Sequence, residues 1–155
     1  MAKVSKQPST EQSSGKTAKP PQTAMAPTIA WAPEPVDKDY PAAQSYLRLI
    51  ADDETVEAIT TALRQAATIQ QHAKDILRAS GLTLLPADDG EVMKDLAKVA
   101  NGIQLSPILL VRGEIRTGWP LQIADGYHRV CASYHLGEAN EIPCRLVSIA
   151  PTPKQ

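Results

Sequence analysis

Hydrophobic positions along the chain follow two different rhythms. From Tyr40 to Gly81 they recur at helical spacing, as expected of helices that bury one stripe. Pro41 suits the first turn of a helix carrying Tyr46, Leu47 and Ile50. Asp52 or Asp53 is placed to cap a second helix with Val56, Ile59, Leu63 and Ala66 inward. Thr68 suits the cap of a third, with Ile69, Ala73, Ile76 and Leu77 on its inner face and Gly81 just past its end. From Leu82 onward short apolar runs alternate with helical stretches. Leu82 to Leu85 reads as a short strand stopped by Pro86, and Ala87-Asp88-Asp89-Gly90 as a loop. Glu91 to Val99 reads as a helix. Ile108 to Arg112 and Leu121 to Ala124 read as strands separated by a turn. A helix then runs to Leu136, with Gly137 as its stop, and Cys144 to Val147 forms the last strand.

This pattern predicts an α+β fold with a small mixed β-sheet and helices. It divides the chain into a disordered tail over 1–39, a helical segment over 40–81 that packs on the domain, the domain itself over 82–149, and a polar tail over 150–155. Seven of the 13 prolines lie between Pro8 and Pro41, among Ser, Thr, Gln and Lys. Such a composition has little to bury against its ordering entropy. Trp31 and Ile29 stand out there as residues able to dock onto the domain.

Composition narrows the function classes. At 155 residues the chain suits one domain, and with 4% aromatics and no Phe its core must come from Ala, Leu, Ile and Val. A net charge of −1 argues against a broad nucleic-acid surface. No apolar run reaches membrane-spanning length, and no secretory apolar region follows the N-terminal lysines. Cys131 and Cys144 lack metal-ligand spacing, so free thiols in a reducing, cytoplasmic setting are expected.

The densest chemistry lies in Ile123-Ala124-Asp125-Gly126-Tyr127-His128-Arg129-Val130-Cys131-Ala132. A strand enters a glycine and a helix starts at once. A helix start aims unpaired N–H groups outward and favours negative charge. Gly126 allows a close turn. Arg129 offers a fork of donors to phosphate, and His128 can bond a phosphate oxygen or move a proton. Asp125 could hold Mg²⁺, orient His128 or cap the helix. Tyr127 could stack on a base or cover the sheet edge. In the acidic loop, Asp88, Asp89 or Glu91 could activate a hydroxyl or bind Mg²⁺, or simply cap the following helix. Lys94 and Lys98 share a helix face that either reaches phosphate or is solvated. Arg112 and Arg116 flank a hairpin and either close over a nucleotide or stand exposed.

These segments, in order, resemble a known family. Leu105-Ser106-Pro107-Ile108-Leu109-Leu110-Val111, a turn, Asp125-Gly126-Tyr127-His128-Arg129, a helix, Gly137 and Ile142-Pro143-Cys144-Arg145-Leu146-Val147 together resemble the ParB/sulfiredoxin superfamily over Leu82 to Val147. The resemblance implies a ParB/sulfiredoxin-like fold with nucleotide phosphates on Gly126, Tyr127, His128 and Arg129. Sulfiredoxins carry their catalytic cysteine between the glycine and the histidine; Tyr127 stands there, so sulfiredoxin activity is not expected. ParB proteins bind CTP, clamp DNA and carry a helix-turn-helix region beyond this domain. Here the chain ends soon after Val147, and 11 basic face 13 acidic residues after Tyr40, so DNA is not an expected partner. Free-serine kinases of the superfamily carry Asp-Gly-His-His-Arg, similar to Asp125 to Arg129.

The resulting expectation is a nucleotide-binding protein, taking ATP, ADP or CTP with Mg²⁺. It would be a phosphotransferase or NTPase acting on a small-molecule or protein acceptor. His128, Asp125, Asp89 and Glu91 would be its catalytic residues, and Asp125 its metal ligand. The alternative is a non-catalytic module for nucleotide sensing or protein interaction.

Overall fold

A computed structural model of the chain describes residues 27–149. The tails expected over 1–26 and 150–155 lie outside the described residues. Element order is α1 (Asp39–Leu47), α2 (Asp53–Gln65), β1 (Ile69–His72), α3 (Ala73–Ser80), α4 (Gly90–Ala100), β2 (Ile108–Val111), β3 (Gln122–Asp125), α5 (Tyr127–Leu136) and β4 (Glu141–Val147). The fold is α+β, with a four-stranded mixed sheet in the order β1-β4-β2-β3. β4 runs parallel to β2 and antiparallel to β1, while β3 is antiparallel to β2.

Helices cover both faces of this sheet, and the strand alternation sorts the core accordingly. Ile108, Leu110, Ile123, Ile142 and Cys144 pack with Ile76, Val92, Val130 and Cys131 from α3, α4 and α5. Leu109, Val111, Ala124 and Val147 pack on the other side with Tyr40, Leu47, Val56, Ile59 and Leu63 from α1 and α2. All four residues of β2 are buried, which is why its sequence is an unbroken apolar run.

Several boundaries differ from the expected ones. Residues 68–72 do not open a helix. Ile69–His72 is an edge strand whose backbone pairs with β4, and α3 starts only at Ala73. The 40–81 segment is therefore built into the sheet. Leu82 to Leu85 is not a strand; it has no ladder partner. The Tyr127 hydroxyl donates to the Thr83 carbonyl, and the His135 ring lies 2.7 Å from the Leu85 carbonyl. Residues 27–38, read as tail, run along the domain. Ala32 N–H donates to Leu105 O and Leu105 N–H to Ala30 O, each at 2.8 Å, and Val36 N–H donates to Ser106 Oγ at 3.0 Å. Trp31 packs against the core, so its apolar area outweighs the polar composition around it.

Candidate functional site

The junction of β3 and α5 is shaped by one glycine. Gly126 has φ +110°, and a Cβ there would lie 2.4 Å from Ile108 Cδ1. The turn is thus tight against β2 and open only to a residue without a side chain. Gly126 is also the N-cap of α5 and supplies no capping side chain. The first intrahelical bond runs from Val130 N–H to Gly126 O at 3.0 Å, so the amides of 127–129 precede the helical ladder.

Arg129 lies in the first turn of the helix, and its side chain bonds across this junction. Its Nη2 donates to Asp125 Oδ2 at 2.5 Å. Its Nη1 donates to Ser106 O at 2.7 Å and to Asp39 Oδ2 at 3.3 Å. The Ser106 hydroxyl also donates to Asp39 Oδ2. The Arg129 side chain is only 12% exposed. Its fork, expected to hold phosphate, is occupied by two carboxylates and a carbonyl from three separate segments. Burial pushes the Asp125 carboxyl up to about 6; Arg129 opposes that shift and Asp39 adds to it.

Above this junction lies a polar cleft of about 440 Å³. His128, Glu91, Asp95, Lys98 and Lys38 line it together with the Arg129 cluster. Glu91 pairs with Lys94 at 2.7 Å, and that hydrogen bond lowers its carboxyl below the ordinary value, with a smaller pull from His128. Asp95 is buried, and burial raises its carboxyl despite Lys98 at 3.6 Å.

The other expected site residues are elsewhere. Asp89 Oδ1 accepts from Glu91 N–H and Val92 N–H, each at 3.1 Å, so it caps α4 and does not line the cleft. Its side chain meets the local demand of the helix start. Asp88 is exposed outside the cleft. Tyr127 is not in the cleft wall either: its ring packs on the core beside α3 to α5 and its hydroxyl holds Thr83. Lys94 is drawn to Glu91, whereas Lys98 does line the cleft. Arg112 borders a different groove.

Sequence reasoning missed Asp39 and Asp95. Asp39 fell inside the stretch read as tail. Its one signal was an acid just before Pro41, which suits a helix start. Asp95 looked like one more polar residue on α4.

Four carboxylates line the cleft, against Lys38, Lys98, Arg129 and His128. Among the described residues no three His, Cys, Asp or Glu side chains converge as a metal cage. Asp125 already shares Oδ2 with a guanidinium. The donor set alone does not fit a resident Mg²⁺, which needs an octahedral oxygen shell.

Comparison with known proteins adds no family. No family model, no curated protein and no solved structure matches the chain.

Proposed function

We propose that the chain binds a nucleotide in the cleft over the start of α5. The observation that carries this reading is the glycine-capped, side-chain-free N-terminus of α5 at the edge of a polar cleft. Phosphate would sit on the amides of 127–129, with His128 and Lys98 alongside. The resemblance of Asp125-Gly126-Tyr127-His128-Arg129 to the ParB/sulfiredoxin turn points to the same ligand class and to the same finer fold. Arg129 frames the turn by fixing Asp125, Ser106 and Asp39, and does not itself grip the anion. Four carboxylates against the three permanent cations Lys38, Lys98 and Arg129 work against a bare anion. Protonation of Asp125, or Mg²⁺ carried in on the phosphates, would offset that excess.

Phosphoryl transfer is the second reading, favoured by Glu91 and His128 lining one cleft. Glu91 would accept the proton of an acceptor hydroxyl, while His128 would hydrogen-bond the transferring phosphoryl oxygens. Sulfiredoxin chemistry has no place in it. Tyr127 holds the cysteine's position, and the nearby Cys131 is buried with its thiol pushed up by burial. Without turnover the same cleft serves as a nucleotide sensor.

A thermal-shift panel of ATP, ADP, CTP and GTP, with and without Mg²⁺, tests the binding reading. At least one nucleotide is expected to raise the melting temperature of the wild type, and His128→Ala and Lys98→Ala to diminish that rise. No rise with any of the four rejects the reading. Phosphate release or transfer to free amino acids, lost in Glu91→Gln with the thermal shift retained, separates enzyme from sensor.

A further inference from the structure

A concavity of about 720 Å³ lies away from the α5 N-terminus. Its floor is Leu110 and Leu146 of the sheet; Ile76 of α3 forms one wall, and Trp119 of the hairpin between β2 and β3 forms the other. The hairpin is braced. Glu114 and Trp119 exchange backbone hydrogen bonds of 2.9 and 3.1 Å, and Leu121 N–H donates to Ala79 O on α3 at 3.0 Å. Gly113 permits the close crossing, since a Cβ there would lie 2.3 Å from the Trp119 carbonyl oxygen. So held, Trp119 remains 53% exposed and Ile115 96% exposed.

Single exposed apolar residues are ordinary, but here two of them sit on the hairpin that walls an apolar trough. The volume falls within the roughly 300–1,000 Å³ typical of small-molecule sites. The charges at the rim decide the ligand class. Asp75 is held by Arg78 at 3.2 Å and faces His72 at 3.6 Å. Glu114 accepts from the Arg116 N–H at 2.9 Å. Arg112, just past the end of β2, donates through Nε to the Ser148 hydroxyl at 3.0 Å and has no carboxylate partner among the described residues. Its two terminal nitrogens stay available at the edge of an apolar floor.

We infer that this groove binds a small amphipathic carboxylate, its apolar body on Leu110, Leu146 and Trp119 and its acid group on the Arg112 guanidinium. The site is independent of the nucleotide cleft.

Octanoate and 1-octanol, which share a chain length and differ in charge, test it by calorimetry and tryptophan fluorescence on the full chain. Octanoate is expected to bind saturably with a shift in tryptophan emission, about tenfold more tightly than octanol. Arg112→Gln is expected to remove that preference while octanol binding persists. Gly113→Ala, whose Cβ would displace the hairpin backbone at Trp119, is expected to weaken both. Absence of saturable binding, equal affinity for the two probes, or an undiminished preference in Arg112→Gln overturns the proposal. So does a concentration-dependent dimer, dissociated by Ile115→Asp, that binds neither probe, because the groove then belongs to a second copy.

Discussion

Arg129 and Asp39 lie 90 residues apart in the chain, and their side chains meet with Nη1 3.3 Å from Oδ2. The contact fastens the start of α1 to the start of α5, with Asp125 and Ser106 in the same cluster. Both partners are nearly buried, at 12% and 7% side-chain exposure. The motif residue that looks most like a ligand contact is therefore first a strut of the cleft.

Removing the strut leaves two carboxylates beside each other with no cation. Breaking a buried pair in this way costs roughly 3–5 kcal/mol. Arg129→Ala is expected to fall in that range by urea denaturation. Asp125→Asn in the same background is expected to recover part of the loss, because one stranded charge is gone. Arg129→Lys keeps the charge but not the fork, and is expected to lie between. Additive losses in the Arg129→Ala, Asp125→Asn cycle would show that the two side chains are not coupled.

The Asp125 carboxyl rises from 3.8 to about 6, mainly through burial. A raised acid holds its proton in the folded chain after the unfolded chain has released it. Its contribution is thus complete below 3.8 and disappears as pH climbs through about 6. That rise corresponds to roughly 3 kcal/mol at most. Burial raises Asp95 in the same direction. Denaturation midpoints between about pH 4 and pH 7 are expected to fall with rising pH, and Asp125→Asn to flatten most of that slope. Nucleotide affinity is expected to weaken over the same interval, since the proton offsets negative charge in the cleft.

What was legible in the sequence was local. Asp52 and Asp89 cap α2 and α4 through bonds to residues two or three positions on, so nearby residues suffice to find them. β2 was visible because a central strand is apolar throughout, and α5 because Gly126 and Gly137 mark its two ends. β1 was not, because Gln70 and Gln71 give no alternation; β4 makes it a strand by pairing with it. Leu82 to Leu85 failed in the opposite sense, apolar enough for a strand but lacking a ladder neighbour. At the site, the turn at Gly126 and the cleft position of His128 and Glu91 follow the motif, whereas the partners of Arg129 arrive from distant segments. No periodicity reports a contact closed across 90 residues.

Tyr127 separates two accounts of the turn. A base-stacking tyrosine would lose nucleotide affinity when truncated to Ala. The structure instead fixes its hydroxyl on the Thr83 carbonyl, outside the cleft. Tyr127→Phe is expected to cost about 1 kcal/mol and to speed hydrogen exchange in residues 82–86. Its nucleotide-induced thermal shift is expected to match the wild type. A phenyl ring still stacks, so Tyr127→Ala decides the ring's role: a nucleotide shift lost there but kept in Tyr127→Phe would place the ring on the ligand.

Gly126 is the position where fold and site make the same demand. Its φ of +110° strains any L side chain, and an added methyl would meet Ile108 Cδ1 at 2.4 Å and Arg129 Nη2 at 3.1 Å. Gly126→Ala must therefore rotate the turn, push Ile108 or displace the guanidinium, at roughly 1–3 kcal/mol for the backbone with overpacking added. Relief at Ile108 distinguishes these routes. If the clash dominates, Ile108→Val in the Gly126→Ala background recovers stability, although Ile→Val alone in a core destabilises by roughly 1 kcal/mol. If backbone strain dominates, the two losses add. Where the turn rotates, the α5 amides leave the cleft, and the variant is expected to lose nucleotide binding while still folded. Denaturation curves of the wild type and the three variants, with nucleotide titrations of those that stay folded, decide between the routes.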